Sequence, residues 1–336
     1  MVKNKKTLII LIAVLAILPL FVKATAALNA LVLLLIFATL GEAWNVLTGF
    51  AGQTSFGHAA YFGIGAYTSV ILYYHYGITP WIGMLLGGII ASAIAAVISY
   101  PSFRLQGHYF AIATMAFAEI IKQLFISWDY VEGATGISVP LVPRSAGFGQ
   151  RLLYLQFNDK LPWIYISLIM FAITIFICDY LENSKMGYYL KAIRESHEVA
   201  ESIGINPTTY KLYAMIISAF ISAIAGSIYA QYILYIDPFM IFSLDISMKI
   251  VLLTVLGGIG NIYGPFIGSA ILIPLSEYTR IKIGGSGTGI DLMIYGLLIV
   301  LITTIQPRGV IGIIENIINK FSKKEKGGEG KIEANS

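Results

Sequence analysis

Cys178 is the only cysteine among the 336 residues and sits inside an apolar run, so no disulfide can form within the chain. Charge is scarce too: Asp, Glu, Lys and Arg make up 12% of the residues, against about 25% in a soluble domain. A globule of this size would expose a large surface to water, and the sequence lacks the charge to cover it. No Gly-x-x-x-x-Gly-Lys run followed by Ser or Thr occurs, which excludes ATP hydrolysis at a P-loop on this chain. The remaining polar residues form no metal-ligand spacing and no catalytic constellation.

Hydrophobic residues, by contrast, supply 57% of the chain, and mean hydropathy is +0.78. Apolar runs of about 20 residues recur, each long enough to cross roughly 30 Å of hydrocarbon. The fold class is therefore an all-α polytopic membrane protein, with about 8–10 transmembrane helices. Candidate spans are 7–23, 26–47, 54–74, 80–99, 108–127, 162–181, 211–233, 245–260, 264–280 and 290–306. Residues 1–25 read as a signal-anchor-like span that is not cleaved, behind Lys3, Lys5 and Lys6.

Ten spans put both termini on one side. Fourteen Lys and Arg fall in the segments on that side and six on the other, which predicts cytoplasmic termini. The pair 245–260 and 264–280 reads either as two spans or as one span plus a re-entrant hairpin. An outer loop at about 128–161 mixes turn formers with aromatics suited to the membrane interface. The tail over 313–336 is rich in Lys, Glu and Gly towards its end, where disorder is expected.

Positions 49–68, GFAGQTSFGHAAYFGIGAYT, interrupt the apolar pattern with small and polar residues. Gly63-Ile64-Gly65 lacks the third glycine of a dinucleotide fingerprint, and no lysine follows, so phosphate cradling is excluded. Ser55 and His58 are spaced to meet on a helix. No orienting acid or oxyanion site accompanies them, which disfavours a membrane hydrolase. Gly57, Tyr61, Gly65 and Ser69 fall four apart on one helix face, where small residues let another helix approach closely. Gln53, Ser55 and His58 lie where a broken helix would present polar groups to a water-filled pathway. Packing and pathway lining both stay open. A second seam, GGIGNIYGPFIG, spaces Gly260, Gly264 and Gly268 four apart, with Pro265 as a break. Glu119 and Lys122 stand three apart and can pair; with Glu42 they are the candidates for ion coupling.

The inner loop at about 182–210 carries the other signal. Leu190 to Ile203 reads as one helix, with Leu190, Ile193, Ala200 and Ile203 on its apolar face. Gly204, Asn206 and Pro207 stop it. Glu198-Val199-Ala200, three residues and then Gly204 match the core of the EAA loop of ATP-binding-cassette importer permeases. AIRESHEVAESIGIN resembles the version found in M-type permeases of high-affinity leucine/isoleucine/valine importers. The stretches at 49–68, 104–120 (RLQGHYFAIATMAFAEI), 257–268 and 307–312 (PRGVIG) resemble the same family in the same order. The hydrophobic tail of the longer EAA pattern is missing, with Ala214 and Ile217 at its first and last positions.

The resemblance implies an importer transmembrane domain over 26–312, in the cytoplasmic (inner) membrane, with a cytoplasmic coupling helix. It implies a permease for branched-chain amino acids that catalyses no reaction itself. Coupling to the ATPases would fall to Arg194, Glu195, Glu198, Ala200, Glu201 and Gly204. A pathway or interface role would fall to Gln53, Ser55, Gly57, His58, Tyr61, Gly65, Gly260, Gly264 and Gly268. The implied partners are a second related permease, two ATP-binding subunits, an extracytoplasmic solute-binding protein and membrane lipid. ATP and magnesium would be held by the ATP-binding subunits, with no cofactor on this chain and no nucleic acid. Urea, amides or sugars are the alternative solutes. A stand-alone ion-coupled transporter is the rival of another class.

Overall fold

The computed structural model describes residues 5–283 apart from 106, 144 and 146, together with 293, 296, 297, 300, 304, 306 and 308–316. The expected span 290–306 and the tail 313–336 lie largely outside the described residues. Elsewhere each apolar run is helical, because backbone groups in hydrocarbon must find partners within their own segment. In chain order the helices are α1 (Lys5–Phe21), α2 (Thr25–Asn45), α3 (His58–Tyr76), α4 (Pro80–Ser102), α5 (His108–Ile126), α6 (Phe148–Leu153) and α7 (Lys160–Glu182). There follow α8 (Lys185–Glu195), α9 (His197–Ser202), α10 (Pro207–Ile233), α11 (Pro238–Ile241), α12 (Leu244–Gly257) and α13 (Gly264–Ile283). Thr25–Phe50, Pro80–Ser102, His108–Ile126, Lys160–Glu182, Pro207–Ile233 and Pro238–Gly257 are each long and apolar enough to cross a membrane.

Local chemistry sets the boundaries. Pro80 and Pro207 take first-turn positions, where a missing N–H costs nothing. Asn206 Oδ1 accepts from Thr209 N at 3.2 Å and so caps α10. Gly77, at φ 64°, closes α3 in the left-handed region that glycine adopts without strain.

Side-chain ties define two ends of the bundle. At one end Asn45 Nδ2 donates to Asn261 O at 3.1 Å, and Gln53 Nε2 donates to Leu105 O at 3.4 Å. At the other, Lys160 Nζ donates to Tyr232 Oη at 3.0 Å, Tyr232 bonds Asn29, and Asn29 Nδ2 donates to Glu277 at 3.4 Å. The first is called the loop end, because α8 and α9 lie there, and the second the far end.

Helix α3 lies at the centre, gripped by α4 and α10. A Cβ on Gly65 would overlap the backbone of Ala223, and one on Gly226 would overlap the carbonyl of Phe62. Gly87 of α4 lies against Gly65 itself. The small residues therefore bring three helices to backbone contact. Aromatic side chains fill the next layer, with Tyr67 stacked on Phe242 at 5.6 Å between ring centroids.

The structure departs from the sequence reading in three places. The span expected at 54–74 starts at His58, because residues 52–57 are not helical. Helix α2 runs on as a π turn over Val46–Phe50, and the chain then reverses at Gly52, at φ 70°. Side chains take over the freed backbone groups: Trp44 Nε1 donates to Ser55 O at 2.7 Å, and Thr48 Oγ1 donates to Gln53 O at 3.0 Å.

The span expected at 245–260 is likewise preceded by a break. Tyr235–Ile236 pairs antiparallel with Ile137–Ser138, and Asp237 and Ser243 then cap α11 and α12 in turn. Helix α13, 20 residues long, follows α12 back through the bundle and carries Glu277 to the far end, where it meets Asn29. Thirdly, the single helix expected over 190–203 is two helices. Ser196 breaks it with extended torsions (φ −157°, ψ 121°) and caps α9 by accepting from Val199 N.

Candidate functional site

The α8–α9 loop is a small folded unit. Ser184 caps α8 by accepting from Gly187 N, and Lys191 Nζ reaches back 2.7 Å to Glu182 at the end of α7. Beneath the two helices Ile193, Ala200 and Ile205 form a buried cluster, flanked by Tyr189, Ala192 and Tyr210. Gly204, at φ 85°, ends α9, and Ile205 N returns to Ala200 O at 3.1 Å. Ala200 thus seats the loop and offers no surface. Glu195, Glu198 and Glu201 point outward, and Val199 (61% exposed) and Ile203 (68%) stand beside them. Ile203 had been expected on the buried face. The break at Ser196 rotates α9, so Ile205 takes that place.

Two ties join this unit to the membrane helices. Arg194 Nη1 donates to Gly49 O at 2.6 Å, on the π turn that ends α2. Its side chain lies over Gly52 and against Gly260, both in the left-handed region, where a Cβ would meet it. Asn45 completes that junction: its Oδ1 accepts from Gly260 N at 2.8 Å while its Nδ2 holds Asn261 O. The second tie runs through Lys211, which is 7% exposed. Its ammonium lies 3.0 Å from Gln53 Oε1, as donor, and 3.3 Å from His197 Nδ1 on α9. Burial, and next the charge of Lys211, hold the His197 pKa below its ordinary 6.5, against the opposing pull of Glu201 and Glu198.

The unwound segment 52–57 in turn grips α5. Phe56 N donates to Thr114 Oγ1 at 3.0 Å, and Gly57 lies against the backbone of the same residue. The loop, the segment and α5 thus form one continuous series of polar contacts. None of Lys211, Asn45 or Thr114 was singled out from sequence. A lysine at the mouth of an apolar span was the available signal for the first.

The other expected residues fall into distinct settings. Ser55 and His58 are fully buried but do not meet each other: Ser55 Oγ accepts from Gly57 N, whereas His58 Nε2 lies 2.7 Å from Ser218 Oγ. Ser218 gives its own proton to Ala43 O, which leaves the imidazole as donor and gives no hydrolase geometry. Tyr61 and Gly65 are buried within the α3–α4–α10 contact. Gly264 and Gly268 press α13 against Gly258, Leu253 and Gly257 of the preceding segment. Glu42 is buried, with no hydrogen-bond partner for its carboxylate among the described residues. Those residues also contain no group of three or more His, Cys, Asp or Glu able to hold a metal ion.

A further feature emerges only in three dimensions. Helix α5 is covered on one side alone. Its open face is mainly apolar, with Tyr109, Ile112, Ala116, Ile120 and Leu124 exposed, and Glu119, Gln123 and Ser127 are the polar residues among them. Lys122 Nζ and Gln123 Nε2 each donate to Glu119 at 3.0 Å. The pairing read from the sequence is present, but it sits on an open face.

Residues 26–303 match the model of the family described as "Branched-chain amino acid transport system / permease component". The high-affinity branched-chain amino acid transport system permease protein LivM of Salmonella typhimurium is 26% identical, over 97% of this chain and 79% of its own length. LivH of the same organism, a permease protein of the same transport system, is 28% identical over 82% of this chain and 91% of its own length. A solved structure, PsaBC from Streptococcus pneumoniae in complex with Fab, is 12% identical and superposes with a TM-score of 0.45 over 83% of this chain and 91% of that one.

Proposed function

The chain belongs to the permease-component family of branched-chain amino acid transport systems, and from that premise we propose that it is a transmembrane subunit of an ATP-driven importer of branched-chain amino acids. The observation that carries the reading is the unbroken series of contacts from an exposed acidic loop, through a buried lysine and an unwound segment, to a helix whose open face exposes Glu119 and Gln123. A loop that is pushed at one end can move α5 at the other, which is what alternating access needs.

On this reading the loop end faces the cytoplasm, as the excess of Lys and Arg there suggests. Glu195, Glu198 and Glu201, with Val199 and Ile203, form the face offered to a separate ATP-binding subunit. Arg194, Ala200 and Gly204 hold that face in shape. Gln53, Ser55, Gly57 and His58 transmit the movement. Tyr61, Gly65, Gly260, Gly264 and Gly268 keep the moving helices at backbone distance. A second permease pairs with this one, as the likeness to both LivM and LivH relatives suggests. The solute passes between the two along α5, where Glu119 and Gln123 meet water and not lipid. Solute delivery falls to an extracytoplasmic binding protein.

The test is to purify the tagged chain from its native membrane in mild detergent, identify what accompanies it, and reconstitute the assembly in liposomes. Recovery of one related permease and P-loop ATPases, with leucine uptake that requires ATP, is expected. Uptake by this chain alone, abolished by an uncoupler, would replace the reading with an ion-coupled transporter using Glu42, Glu119 and Lys122.

A further inference from the structure

The far end contains a cavity that the transport reading does not use. About 300 Å³ in volume, it lies between α6, the turn into α7 and the end of α10, and Arg151, Gln156, Asn158, Lys160, Trp163 and Gln231 line it. Among the described residues lining it, none is acidic. Lys160 is the first residue of α7, and its ammonium uses one proton on Tyr232 Oη, with others left to donate. Asp159, the N-cap of this 23-residue helix, makes no side-chain cap, so the first-turn N–H groups have no side-chain acceptor there.

Gln231 points the same way independently. It is fully buried on α10, and neither its Oε1 nor its Nε2 has a hydrogen-bond partner among the described residues. A buried amide left without partners is costly and calls for a ligand or water. The surrounding frame is fixed. Gln156 Nε2 donates to Pro140 O at 2.7 Å and its Oε1 accepts from Val142 N at 2.8 Å. Thr79 and Trp81 pin the end of α6 through Leu153 O and Leu152 O. Beside this polar interior, Leu141, Phe148, Leu152 and Leu153 are exposed.

We propose that this cavity binds a phosphate-type oxyanion, supplied by the headgroup of an anionic phospholipid. Cationic groups, an orphan amide and free helix N–H groups suit the phosphate oxygens. The exposed apolar side chains beside them suit the acyl chains at a membrane interface. The proposal rests on the membrane-spanning fold and not on the identity of the transported solute.

Full-length protein, purified in mild detergent with whatever subunits accompany it, provides the test as wild type, Lys160→Met, Lys160→Arg and Gln231→Leu. Retained phospholipid is quantified by mass spectrometry after a delipidating wash. Inorganic phosphate is titrated separately against tryptophan fluorescence, with Trp163→Phe as the control. Wild type and Lys160→Arg are expected to retain phosphatidylglycerol or cardiolipin, and the other two to retain about tenfold less, since each loses a hydrogen-bonding group of the site. Gln231→Leu removes only an unpartnered amide, so its fold is not at risk. If no lipid is retained, but phosphate gives a saturable signal that Lys160→Met abolishes, the oxyanion site stands and the lipid source is refuted. Equal retention in all variants, or neither lipid nor phosphate bound, overturns the proposal.

Discussion

Replacing Lys211 by methionine keeps the length of the side chain and removes its ammonium. Lys211 is 7% exposed, and its Nζ lies 3.0 Å from Gln53 Oε1 and 3.3 Å from His197 Nδ1. A hydrogen bond with a charged partner contributes about 1.5–3 kcal/mol. Against that, Lys211→Met also relieves the cost of burying an ammonium. The two effects offset each other in overall stability, so the thermal midpoint in detergent should change little. They do not offset in coupling, because methionine cannot hold the loop and the unwound segment together. A loss of 1.4 kcal/mol is a factor of about ten, and solute-stimulated ATP hydrolysis by the reconstituted assembly should fall by at least that much. The subunits should still co-purify.

A second substitution removes the remaining ambiguity. Gln53→Leu breaks the same bond from the other side, so Lys211→Met combined with Gln53→Leu should be no worse than the poorer single variant. The expected interaction energy is about 1.5 kcal/mol or more. Losses that simply add, or undiminished uptake in all three, would refute transmission through this contact.

Three further outcomes follow from the same geometry. The His197 pKa is lowered in the fold, so the folded loop binds fewer protons than the unfolded one near 6.5. Its seating is complete above that value and weakens as pH falls through it, where His197⁺ meets Lys211. Coupled ATPase activity should therefore fall as the pH drops below 6.5, and His197→Gln should flatten the profile. Gly65→Ala forces a methyl group onto the Ala223 backbone and should destabilise the protein by about 1–3 kcal/mol or more. Gly149→Ala, which meets nothing within 4 Å, should stay within about 0.5 kcal/mol on the same thermal scan. Single cysteines at 119, 123 and 127 on the open face of α5 should react with small polar thiol reagents, while those at 53, 55 and 58 stay protected in the resting state. Native Cys178 is buried and will not obscure the signal.

The helical class and the close packing were legible because they depend on local, additive properties. Runs such as 80–99 and 162–181 could only be spans, and Gly65 within its four-residue spacing could only favour close approach. The breaks were harder. Ser196 sits in a sequence with good helix formers on both sides, and its role as a cap depends on Ile193, Ala200 and Ile205 finding one another in space. Residues 52–57 unwind because Trp44 and Thr48 donate to the carbonyls freed from the ladder, and neither is a neighbour that periodicity can weigh. Lys211 and Asn45 act across separations of 158 and 216 residues. Such pairings leave no trace in a single chain.

Of the two readings of 49–68, close packing is visible in the second half of the stretch. From Gly57 onward the small residues bring α3 to backbone contact with α4 and α10, and bodies locked at that distance move together. Before Gly57 the backbone is held by side chains of α2, the π turn and α5 in place of its own ladder, while Lys211 of α10 holds the Gln53 side chain. Such bonds can be exchanged one at a time, at about 1 kcal/mol each, whereas shifting α3 within its grip would require overlapping backbones. On the proposed coupling, displacement of α8 and α9 would be absorbed in 52–57 and passed to α5 through Thr114, while α3, α4 and α10 move as one body.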